Sequence, residues 1–64
     1  MSTPLDVALD IRRTVVEARD EERPIDIAVC ASELHRRFLA SGCTRKQIAE
    51  ALEDEAILEG VTTH

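Results

Sequence analysis

Cys43 comes nearer to chemistry than any other residue of this chain. It follows Gly42 and precedes Thr44-Arg45-Lys46, where a helix should begin. A helix N-terminus can lower a thiol pKa and make a cysteine nucleophilic or redox-active. No histidine is spaced to serve as its base, so an inert loop thiol is the plainer reading. His35 falls beside the apolar arc of a helical segment and reads as a boundary residue. Glu55 and Glu59 stand four apart on a helix but lack the glycine and the alternation of a calcium loop. Cys30 and Cys43 match no zinc spacing, and His35 and His64 belong to no ligand array. The expectation is a protein with no catalytic, cofactor-binding or metal-binding residues: not an enzyme.

The elements that would carry these residues are helices. Asp26 can cap the first free amides of a helix, and from there Ile27, Ala31, Leu34 and Phe38 keep helical spacing, with Cys30 at the edge. Gly42 is the natural stop. Thr44-Arg45-Lys46-Gln47 is a T-x-x-Q capping box, and Ile48, Ala49, Leu52 and Ala56 share a face of the helix it opens, which Gly60 ends. Ahead of this hairpin, Thr3-Pro4-Leu5-Asp6 predicts another start, with proline at the first helical position. Pro24 disfavours helix at Arg23 and so closes that segment. The expected fold is therefore all-α: a single three-helix domain over residues 1–64, with helices at about 4–20, 27–41 and 44–59. Val61 to His64 should fray. A kink near Glu53-Asp54, or a short fourth helix capped by Asp54, is the lesser alternative for the last segment.

Sixty-four residues lie near the lower limit for a domain that folds alone. Such a domain needs very good packing, a staple or a partner. No secretory leader is read at Met1-Ser2-Thr3-Pro4, so the expected compartment is the cytoplasm and both cysteines should stay reduced. No apolar run approaches membrane-spanning length. What remains is a partner, either a second copy or another protein. The formal charge of −5 disfavours nucleic acid. The charges are uneven, however: Glu50, Glu53, Asp54, Glu55 and Glu59 make the last helix acidic, while Arg36, Arg37, Arg45 and Lys46 gather around the hairpin turn.

Helix 1 carries two apolar stripes, one of Leu5, Leu9 and Val16, the other of Val7, Ile11, Val15 and Ala18, with Arg12 and Arg19 between them. One core cannot easily absorb both, so either arginine stems lie along a wide buried face or one stripe meets a partner. Near the C-terminus Ile57 and Leu58 also lie off the core face. The expected partner-binding residues are Val7, Ile11, Val15, Ile57 and Leu58.

Gln47 to Leu52 resembles the first helix of a helix-turn-helix motif, but Glu53 stands where the turn wants glycine and Glu59 where the second helix wants an apolar residue. A recognition helix bearing Asp54, Glu55 and Glu59 would repel phosphates. The alternative function is nonetheless a dimeric DNA-binding regulator with Arg36, Arg37, Arg45 and Lys46 on the backbone. With Ala31-Ser32-Glu33-Leu34-His35-Arg36-Arg37-Phe38-Leu39 and Gln47-Ile48-Ala49-Glu50-Ala51-Leu52 in view, the chain resembles the small helical antiactivators of conjugative-element quorum sensing in bacteria, the QseM-like proteins, with TraM as a functional analogue. The resemblance covers most of the chain in size, helical content and acidic balance. It implies a cytoplasmic protein that binds a transcriptional activator and prevents it from working, and it carries over no binding residues.

Overall fold

A computed structural model describes residues 3–64; Met1 and Ser2, on which the absence of a leader was partly read, lie outside them. The chain folds as α1 (Pro4–Asp20), α2 (Ile27–Arg37), a 3-10 turn (Leu39–Ser41) and α3 (Arg45–Glu59). Each helix starts where its capping residue stands. The Thr3 hydroxyl accepts from the Asp6 N–H and the Asp6 carboxylate from the Thr3 N–H, a reciprocal box behind Pro4. Asp26 accepts from the Val29 N–H at 3.1 Å. Thr44 and Gln47 form the expected box at the head of α3.

The helix ends are less uniform. At the end of α1, the Arg23 N–H donates to the Ala18 carbonyl (2.9 Å) and the Glu22 N–H to that of Arg19 (3.1 Å). This is a Schellman closure, and it puts Glu22 at φ 54 without the freedom of glycine. The second helix is shorter than its apolar spacing predicts. Phe38 leaves the helical region, and the Ser41 N–H bonds back to the Phe38 carbonyl at 3.0 Å, so the last turn tightens into 3-10 geometry. Gly42, at φ 79, then reverses the chain. The third helix runs unbroken through Glu53 and Asp54 to Gly60, and no fourth helix forms among the described residues.

Both α1 and α2 pack on α3, which is the central element. Residues from the first half of α1 line one groove with residues 43–55, and Arg19 near the end of α1 pairs with Glu59 at the end of α3, so these two helices run in the same direction. The core is apolar throughout. The first helix supplies Val7, Ile11, Val15 and Ala18, and α2 supplies Ile27, Ala31 and Leu34. Ile48, Leu52 and Ala56 come from α3, and Ile25 enters from the connection. Asp10 on α1 accepts from Arg37 on α2 at 2.7 Å, tying the outer two helices at their edge.

Two expectations fail here. The tail does not fray. A second Schellman pair, Val61 N–H to Ala56 O at 2.8 Å and Gly60 N–H to Ile57 O at 3.3 Å, folds it back. Ile25 then donates to the Thr62 carbonyl and accepts from the His64 N–H, both at 2.9 Å. The extended Pro24-Ile25 segment has backbone groups no helix can satisfy, and the tail satisfies them. Helix 1, in turn, faces the other way from the expectation. Val7, Ile11 and Val15, proposed as partner contacts, are core residues, with Ile11 only 6% exposed and Val15 fully buried. The stripe at 7, 11, 15 and 18 has four members and no charge within its arc. Its small and β-branched side chains seat α1 against α3, and the leucine stripe is left outside.

Candidate interaction surface

The leucine stripe borders a groove. Leu5 is 68% exposed and Leu9 57%. They share an arc of α1 with Ala8, Arg12 and Val16, since these positions fall within about 100° at 3.6 residues per turn. Facing them, Gln47, Ala51 and Glu55 follow one another at four-residue spacing on α3. The open groove between the two walls measures about 450 Å³, and Val7, Ile11 and Ile48 form its floor. Leu58 continues the α3 wall at the same helical phase.

Ile57 and Leu58 are both 76% exposed, which satisfies the first requirement for a contact residue. They do not share a face. Roughly 100° separates consecutive residues of a helix, so Leu58 extends the groove while Ile57 looks out beside Glu50 and Glu53. Val29 on α2 and Leu39 in the 3-10 turn are also exposed. The apolar residues left outside the core therefore lie on more than one face, with Leu5, Leu9 and Leu58 along the groove and Ile57, Val29 and Leu39 off it. The leucine stripe was visible in the sequence, but periodicity left open which stripe of α1 faces the core, and the expected contacts were placed on the other one.

The residues considered for chemistry are scattered. Cys43 is half-buried on the groove wall, and its N–H donates to the Ser41 hydroxyl at 3.3 Å. Thr44, not Cys43, caps α3, which places the thiol outside the helix end. His35 is half-buried on α2 and makes no hydrogen bond to either cysteine among the described residues. Among the described residues no three His, Cys, Asp or Glu side chains group to hold a metal ion, and no helix is long and apolar enough to cross a membrane. Of the basic residues, Arg37 is engaged with Asp10, while Arg36, Arg45 and Lys46 are exposed. Because α3 continues through Glu53, the turn and second helix of a helix-turn-helix are absent from this segment.

Comparison with protein-family models, curated proteins and solved structures finds no match. The surface must be read from its own chemistry.

Both cysteines are free thiols. Burial pushes the Cys30 thiol above its usual value, Glu33 and Asp26 add to the rise, and Arg23 opposes it. The folded chain therefore holds that proton at a pH where the unfolded chain releases it. The stability this contributes is complete below pH 9.0 and is lost as the pH climbs through the raised value. Alkylation of Cys30 should lag behind that of a small free thiol across the alkaline range and catch up in denaturant. Equal rates in the native protein would show that the side chain is not shielded.

Proposed function

We propose that this chain is a non-enzymatic regulator that acts by protein–protein contact, an antiactivator that binds a transcriptional activator in the cytoplasm and keeps it from working. One observation carries the reading. A domain of 64 residues leaves Leu5, Leu9, Val29, Leu39, Ile57 and Leu58 more than half exposed. Aliphatic side chains at such density are costly to leave in water and are what a protein partner buries. The acidic run Glu50, Glu53 and Asp54 beside Ile57 supplies the polar rim and steers a basic partner, as DNA-binding proteins are. The resemblance to antiactivators points the same way.

The test is capture from the cell's own extract with tagged protein, identifying the bound proteins by mass spectrometry. The expected result is a transcriptional activator, with about thirtyfold weaker capture by Ile57→Asp, the loss typical of removing one anchor residue. Recovery of no transcription factor, or equal capture by the variant, contradicts the reading.

A further inference from the structure

We propose that the α1–α3 groove is the seam of a homodimer, in which a second copy docks about a two-fold axis and Arg12 of each copy pairs with the partner's Glu55. Arg12 and Glu55 stand on opposite walls of the groove, and neither has a hydrogen bond or ion pair among the described residues. Farther along the same two helices the corresponding pair, Arg19 and Glu59, is joined. One cation and one anion on a single patch suit an isologous interface, because the patch must complement itself after a two-fold rotation.

Charge favours this face over the outer side of α3. The whole chain carries −5, so two copies repel one another on net, and most strongly where their acidic sides meet. The groove walls are neutral in sum, with Arg12 offsetting Glu55, whereas the outer side of α3 presents Glu50, Glu53 and Asp54. Leu5, Leu9 and Leu58 supply the apolar part. Ile57, Val29 and Leu39 lie off the groove, so the seam does not depend on the proposed capture of an activator and leaves a surface for it.

Sedimentation equilibrium of the full chain, from low micromolar to near-millimolar concentration, tests the seam. The wild-type protein should reach the dimer mass. Arg12→Glu and Glu55→Arg should each weaken self-association at least about tenfold, since two attractions become two repulsions per dimer. An equal mixture of the two variants should recover it, because each mutant side chain then meets its opposite on the other copy. The double variant should self-associate like the wild type. Circular dichroism of each variant should stay helical, as Arg12 is exposed and Glu55 only partly buried. A monomeric wild-type chain overturns the proposal and would leave the groove to another protein's helix. So do single variants that associate normally, or a mixture without recovery, the outcome expected if Arg12 and Glu55 serve only their own chain. None of these results bears on activator capture through Ile57.

Discussion

Leu52→Ala should lower the thermal midpoint by roughly 10–30 °C and leave part of the population unfolded at room temperature. Leu52 sits at the middle of the central helix with none of its surface exposed, between the stripes of α1 and α2. Truncating such a leucine costs about 2–5 kcal/mol, from lost transfer energy and from the cavity left behind. A chain of this length has a total stability of roughly 3–10 kcal/mol, so a single side chain accounts for a large part of it. Each kcal/mol is worth about 4–8 °C in a domain this small. Melting followed by circular dichroism reads the shift. A change of only a few degrees would mean that α3 is not the element on which the others pack.

Ile11→Asp should abolish the fold altogether. Burying isoleucine contributes about 1.5–3 kcal/mol, and that is forfeited. A carboxylate placed at a site 6% exposed and walled by Val7, Val15 and Ile48 would have no buried polar partner. The helical signal should be lost at neutral pH. Partial recovery is expected in acid, where the group can enter as a neutral carboxyl. Ile11→Val, which keeps shape and polarity, should cost only about 0.5–1.5 kcal/mol. An Ile11→Asp protein that stayed helical but lost a binding partner would restore the outward-facing stripe that the structure denies.

The contrast between these residues and the exposed ones explains what could be read in advance. Helix starts were legible because Thr3, Asp26 and Thr44 each satisfy local amides, a contest decided within four residues. The Gly60 end of α3 was legible for the same reason, whereas α2 gives way to a 3-10 turn after Arg37, ahead of Gly42. The face that α1 presents to the core was not, because both stripes satisfy helical periodicity and the choice rests on packing against α3. The four-membered, uncharged stripe was the better signal, and Arg12 within the other arc marked the wet side. The tail was misread because the return of Val61 to His64 answers a distant need, the unpaired backbone at Ile25. As for the candidate surface, Ile57 and Leu58 were recognisable from their phase on α3, while the groove exists only once α1 and α3 run side by side.

Thermal unfolding of Leu5→Lys/Leu9→Lys puts the orientation of α1 to the most direct test. These residues lie two positions from Val7 and Ile11 in the chain but on the opposite side of the packing. With Val7, Ile11 and Val15 inside and the leucines outside, the double variant should melt within a few degrees of the wild type when both are dilute enough to be monomeric, as surface changes of about 0.5 kcal/mol do. A collapse of the fold like that expected for Ile11→Asp would contradict the account, because it would put the leucines in the core and remove the groove.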